Sequence, residues 1–247
     1  MTVRRPLKNC WLLLALAPML SMLVAIPATS ANLQISPVTI NMRAEQNSAG
    51  ITLQNMGDKP LYGQVRVFSW DQANGDEVLA STQDLIASPP IVEVPPNGRQ
   101  IIRLVRQASG PLAQERTFRV LIDEVEREVD PERSGVDIRL RYSVPVFVLP
   151  ASGPGKEVLE WQVFRKDGAW MLRIKNTGNF HAQIGAMTFK NEAGIDYMIS
   201  KGLFGYVLAG RMREWRLPVA NDAALDGVLA ITVNVNAKAI IAKNSTP

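Results

Sequence analysis

Cysteine and histidine are almost missing. The 247 residues contain one of each, Cys10 and His181. With no cysteine pair there is no disulfide to staple a small core, so the fold must be held by packing. A zinc site would draw on the same two residue types, and their scarcity argues against a metal. Aromatic residues make up 6% of the chain and are scattered, which leaves no stacking platform for sugars. HExxH, GxSxG, Walker A and GxGxxG patterns are all absent. His181 follows the turn "NTGNF" and reads as a polar surface residue of a loop. Acids gather in "DEVEREVDPER", Asp123 to Arg133, but basic residues interrupt the run and a proline-containing loop ends it, so it reads as solvated rather than catalytic. The chain is expected to be no enzyme and to need no cofactor.

What is present begins with a leader. Arg4, Arg5 and Lys8 precede an apolar run from Trp11 to Ala28, and "ATSAN" supplies small residues for cleavage. That is the layout of a secretory signal, read here as residues 1–31. The run is near the lower length for a membrane span, but Pro18 and Pro27 interrupt it, so no membrane anchor is expected in the mature form. Nothing before Cys10 resembles a lipobox, and Cys10 leaves with the leader. The leader also removes three positive charges and no negative ones, so the formal +4 falls to about +1. The basic pI therefore gives no reason to expect nucleic-acid binding. About 216 residues remain, enough for two domains of about 100.

The mature chain reads as β throughout. "LQISPVTINM", "GITLQN", "LYGQVRVFSW", "IVEVP", "QIIRLVR" and "TFRVLIDEVE" alternate like strands, and "NMGDKP", "ANGDE", "ASPP" and "PPNG" separate them with turn residues. No segment past the leader sustains a helical period. After Pro150 comes "ASGPGKE", a short linker, then a second β pattern from "VLEWQVFRKDGAWMLRIKN" to "GVLAITVNVNA", with "RKDG" as a hairpin turn. The expected domains are 32–151 and 152–247, both immunoglobulin-like β-sandwiches. An internal echo supports their kinship: "ITLQNMGDKPLYGQV" around Asn55 and Gly57 returns as "LRIKNTGNFHAQI" around Asn176 and Gly178. Both are read as tight reversals in which Asn and Gly tolerate positive φ.

One strand is longer than an ordinary one, although a plain sandwich strand would also alternate in this way. In "SGVDIRLRYSVPVFVLP", Val136, Ile138, Leu140, Tyr142, Val144, Val146 and Val148 point one way, while Asp137, Arg139, Arg141, Ser143 and Pro145 point the other. A typical strand has about five or six residues. On these features alone, a secreted two-domain Ig-like binding or adhesive module fits as well as any other reading.

"LQISPVTINM", "SPPIVEVPPNGRQIIRLVR", "ERTFRVLIDEV" and "RYSVPVFVLP" occur in that order. Together they resemble the periplasmic pilus-assembly chaperones, the PapD-like family. The opening "SPVTI" and the strand "YSVPVFV" are most similar to its archaic (σ-fimbrial) branch. The resemblance is strong to Pro150 and thin beyond it. It implies two Ig-like sandwiches in a boomerang, located in the periplasm. The partners it implies are pilin subunits, stabilised by donor-strand complementation, and an outer-membrane usher that receives them. It also allows self-association of the free protein. The family's donor strand matches Val136 to Val148. Val136, Ile138, Leu140 and Tyr142 are expected in the subunit's groove, and Val144, Val146 and Val148 in the chaperone's own core, so one strand serves two cores. Three large aliphatic side chains give roughly 5–9 kcal/mol gross, before ordering costs.

The chain departs from the family at the cleft. The two basic residues that hold the subunit's C-terminal carboxylate match Thr39 and Pro145 here, and neither carries charge. Arg103, Arg116 and Arg119 are the expected replacements, because arginine binds carboxylates bidentately. The family's interdomain ion pair is also altered: Glu115 matches its acid, but Leu149 stands where its arginine would be.

Overall fold

Short alternating runs between turn residues fold as strands in both halves of the chain. The computed structural model describes residues 33–107, 112–125 and 139–244. Cys10 and the leader, and with them Val136 and Ile138, lie outside the described residues. Ten strands come first: β1 (Leu33–Ser36), β2 (Ile40–Met42), β3 (Ser48–Asn55), β4 (Leu61–Ala73), β5 (Asp76–Ser81), β6 (Leu85–Ser88), β7 (Ile91–Val94), β8 (Arg99–Arg106), β9 (Arg116–Val125) and β10 (Arg141–Val148). They form one sheet in the order β1-β3-β8-β6 and a second in the order β2-β10-β9-β4-β5, with β7 also on β4. The remaining strands are β11 (Leu159–Lys166), β12 (Ala169–Asn176), β13 (Ala182–Lys190), β14 (Asp196–Ser200), β15 (Gly205–Val207), β16 (Met212–Arg216), β17 (Ala230–Val235) and β18 (Lys238–Lys243). Their sheets run β11-β12-β16 and β14-β13-β17-β18, with β15 on β13. The chain is all-β, two Ig-like sandwiches in series.

Each sandwich has its own core. Ile51, Leu53, Ile102, Leu104, Val120 and Ile122 close the first, and Leu172, Ile174, Ile184, Phe189, Ile231 and Val233 the second. The "RKDG" turn is a hairpin: Lys166 pairs with Ala169 across Asp167 and Gly168, which have φ of 51° and 76°. In the first sandwich two strands escaped the sequence pattern. "ANGDE" reads as a turn, but only Asn74 and Gly75 make it, with φ of 54° and 85°, and Asp76 already opens β5. All six β5 residues are exposed, so apolar alternation had nothing to show. β6 does alternate, with Leu85 and Ala87 buried, but it is four residues long and runs straight into Pro89 and Pro90.

The internal echo holds a different physical content from the one expected. Asn55 and Asn176 are both buried, and neither they nor Gly57 and Gly178 have positive φ. Their side chains act instead as backbone surrogates. Asn55 Nδ2 donates to the carbonyls of Lys59 (2.6 Å) and Val94 (3.1 Å), and its Oδ1 accepts from Gly57 N (2.9 Å). Asn176 Nδ2 donates to Phe180 O (2.7 Å) and Val207 O (3.3 Å), and its Oδ1 accepts from Gly178 N (3.0 Å) and Val158 N (3.1 Å). Gly178 is required for close approach, since a Cβ there would lie 2.1 Å from Lys156 O. At about 1 kcal/mol net per hydrogen bond, Asn55→Ala should destabilise its sandwich by about 3 kcal/mol and Asn176→Ala its own by about 4 kcal/mol. Urea unfolding of each variant measures this, and a loss well under 1 kcal/mol would show that water replaces the side chain.

Candidate functional site at the junction of the sandwiches

β10 lies against β9 along its whole length, from Arg141 opposite Asp123 to Val148 opposite Arg116. Its other edge is covered only at the end, where Val146, Phe147 and Val148 run parallel to Ile40, Asn41 and Met42 of β2. From Arg141 to Pro145 that edge carries no strand among the described residues. Val144, Val146 and Val148 are buried in the first core. Leu140, just before β10, is half-buried and keeps the ladder going, its carbonyl accepting from Glu124 N at 3.0 Å. Tyr142 packs against the edge of the same core, and its hydroxyl donates to Leu33 O at 2.8 Å. Burial and the nearby Glu124 carboxylate push its phenol up from the ordinary tyrosine value.

The three arginines expected at the cleft part company. Arg103 sits on β8, in the other sheet, exposed opposite Gly50 and Ser88. Arg116 is exposed at the start of β9 and pairs with Asp84 at 3.0 Å. Arg119 is three residues further on and so points to the opposite face. It is directly across the ladder from Pro145, and its side chain is 11% exposed. Its guanidinium lies 3.7 Å from the ring centroid of Trp70 and 5.4 Å from that of Tyr206, with Glu77 Oε1 at 3.3 Å. Burial lowers its pKa from the ordinary arginine value, and Glu77 offsets this only in part.

Around Arg119 the two sandwiches meet. Trp70 and Phe147 from the first form one apolar cluster with Tyr206 and Leu208 from the second. Gln72 clamps β15 by its side chain: Nε2 donates to Tyr206 O (2.8 Å) and Oε1 accepts from Leu208 N (2.9 Å). Asp71 takes a two-pronged contact from Arg211 at 2.6 and 3.1 Å, and this guanidinium holds the Asp71 carboxyl below the usual carboxylate range. The β4–β5 hairpin tip reaches β16, where Gly75 O accepts from Glu214 N (3.0 Å) and Arg213 Nη1 (3.0 Å).

Residues 32–154 match the family model described as pili and flagellar-assembly chaperone, PapD N-terminal domain. A curated relative, the uncharacterized fimbrial chaperone YhcA of Escherichia coli (strain K12), is 28% identical over 140 residues, which cover 55% of this chain and 58% of that one. The chain thus matches less than two thirds of that relative's length. Among solved structures, the CsuC–CsuE chaperone–tip subunit pre-assembly complex from the archaic Csu pili of Acinetobacter baumannii matches with a TM-score of 0.68 at 23% identity, covering 87% of this chain and 98% of that one. The Salmonella enterica SafA pilin–SafB chaperone complex matches with a TM-score of 0.57 at 16% identity, covering 88% and 97%.

Residues 32–154 belong to the PapD-like family of pilus-assembly chaperones. In this PapD-like chain the interdomain acid has found another partner. Glu115, whose side chain is fully buried, accepts from His181 twice: from the backbone N at 3.0 Å and from the imidazole Nδ1 at 2.8 Å. Leu149, in the place of the family's arginine, only donates its backbone N to Met42 O. His181 is therefore no surface residue. Its ring is 8% exposed and stacks on Phe147 at 3.5 Å and 6°. His181 does lie in a loop, but the surface reading failed because the residue is covered by the other sandwich, and no local pattern encodes that. Phe147 was missed for a related reason: it stands on the polar side of the β10 alternation and is apolar because a second core lies there.

Proposed function

We propose that this protein is a periplasmic chaperone that binds fimbrial subunits by donor-strand complementation and passes them to an outer-membrane usher. The observation that carries the reading is the edge of β10 between Arg141 and Pro145, which no strand covers among the described residues, beside a segment that is firmly rooted in the first core by Val144, Val146 and Val148. A sheet edge rooted at one end is suited to adding a strand to an incomplete sandwich. Val136, Ile138 and Leu140 would fill the subunit's groove, with Tyr142 at the point where one core gives way to the other. Arg119 is the anchor for the subunit's terminal carboxylate: it is a desolvated cation next to Pro145 with one partial counter-charge. Arg103 and Arg116 are placed elsewhere. Free in solution, the protein can hide its donor strand by self-association. No step of this activity calls for catalysis, nucleotide or metal.

Arg119→Ala should reduce subunit co-purified from the periplasm at least tenfold, the weight of one charge-assisted hydrogen-bond pair. Arg103→Ala and Arg116→Ala should retain it like the parent. Retention by Arg119→Ala together with loss in either other variant would move the anchor. The segmentation belongs to the same proposal: residues 1–31 as signal, 32–151 as the donor-strand sandwich and 152–247 as the second. The intact mass of the secreted form should correspond to a start at Ala31 or Asn32, and a membrane-bound chain still beginning at Met1 would refute it.

A further inference from the structure

Among the described residues three buried side-chain N–H groups lack an acceptor: Nε1 of Trp70, Nε of Arg119 and Nε of Arg213. A buried donor left unmade costs about 1–3 kcal/mol, so three together need a reason. They also share a neighbourhood. The Arg119 guanidinium lies on the Trp70 ring. Arg213, on β16 of the second sandwich, is near enough for its charge to oppose that of Arg119. One hairpin steadies both: Gly75 O and Asp76 Oδ1 hold Arg213 Nη1 at 3.0 and 3.2 Å, and Glu77 holds Arg119. The Arg213 side chain is 13% exposed, and its guanidinium lies 5.3 Å from the Trp215 ring centroid.

The charges do not balance. Two guanidinium groups meet Glu77 at 3.3 Å and an Asp76 side chain that is 88% exposed and screened by water. Among the described residues neither guanidinium has a further ion pair, so roughly one positive charge is left beside the three orphaned donors. A monoanion that only accepts hydrogen bonds satisfies both needs. A carboxylate, with two oxygens and about four lone-pair sites, can take one guanidinium on each.

We infer that Arg213 is a second anchor residue, so that the carboxylate is gripped between an arginine of each sandwich, with the Trp70 indole at the same site. The inference rests on the chaperone reading and on Arg119 as its first anchor. It adds that the second sandwich contributes directly to ligand binding at this site.

The test uses the full secreted chain, labelled with ¹⁵N, titrated with N-acetylphenylalanine, with its C-terminal amide, and with inorganic phosphate. The carboxylate should move the Trp70 indole and the Arg119 and Arg213 Nε–H resonances together and saturably, and the amide should move none. Arg213→Gln should weaken carboxylate binding at least tenfold, and Arg213→Lys should restore part of it. Because Arg213 also holds the hairpin, the resonance shifts in the unaltered protein are the deciding readout if the variants fold poorly. If Arg119 and Trp70 respond while Arg213 does not, the two-sandwich grip is wrong and the Arg119 anchor stands. If none responds, the inference falls, and subunit co-purification with Arg119→Ala decides the first anchor separately. Phosphate binding tenfold tighter than the carboxylate would overturn the ligand class.

Discussion

Val146→Asp is expected to abolish the first sandwich, while Ile138→Asp is expected to leave it intact and abolish subunit binding. Val146 is fully buried, between Ile40 of β2 and Phe118 of β9. A carboxylate there has no cation to meet it, and burying it costs several kcal/mol, a large part of what a domain of this size has in reserve. The variant should show no cooperative melt of the first sandwich. On the proposed function Ile138 is a donor-segment residue, preceding in sequence the residues that root β10. Its replacement by Asp should leave the melt of the free chaperone unchanged, because the energy it contributes is gained in the subunit's groove. Binding should fail, because the groove would have to bury the charge. Leu140→Asp should behave the same way with a small loss of stability, since Leu140 is already half-buried. The measurements are thermal melting of the free protein and pull-down of a fimbrial subunit. An Ile138→Asp protein that unfolds on its own would place that residue in an ordinary core and end the donor-strand assignment. Melts at several concentrations separate this from a free-state dimer that covers the strand.

Phe147→Ala should uncouple the two sandwiches. Phe147 is fully buried, stacked on His181, and within 5.9 Å of Trp70 and 5.8 Å of Tyr206 between ring centroids. Removing a buried phenylalanine costs about 3–5 kcal/mol. The loss falls on the junction, because Phe147 points away from the first core that Val146 and Val148 enter. The expected result is two separate unfolding transitions where the parent has one, together with a downfield return of the His181 ring protons as the stacked ring is lost. Subunit retention should fall as well, since Arg119 lies on Trp70 in the same cluster. A single transition at the parental temperature would mean that Gln72, Asp71–Arg211 and Glu115–His181 hold the junction without it.

Much of the fold was legible because strand alternation is a local property. The burial of Val144, Val146 and Val148 follows from period two alone, and the "RKDG" hairpin follows from residues that accept positive φ. β5 was not legible, because a strand with every side chain in water shows no alternation. The kinship of Asn55 and Asn176 was visible, but its cause was not: a buried amide that stands in for backbone looks the same in sequence as a residue chosen for its φ.

The sequence by itself determined that the chain folds as two β-sandwiches without disulfides, that an apolar alternation runs from Val136 to Val148, and that the family's cleft cations are missing. It also determined that Arg116 and Arg119 face opposite ways, since that is parity along a strand. Only the tertiary structure decided which of those faces meets the second sandwich. Trp70, Arg119, Phe147, His181, Tyr206 and Arg213 come together from separate strands and loops of both halves, and Glu115 is buried against a histidine 66 residues away. Contacts of that kind depend on how two finished surfaces dock. Alternation and turn chemistry specify each surface, but neither reaches across the gap between them.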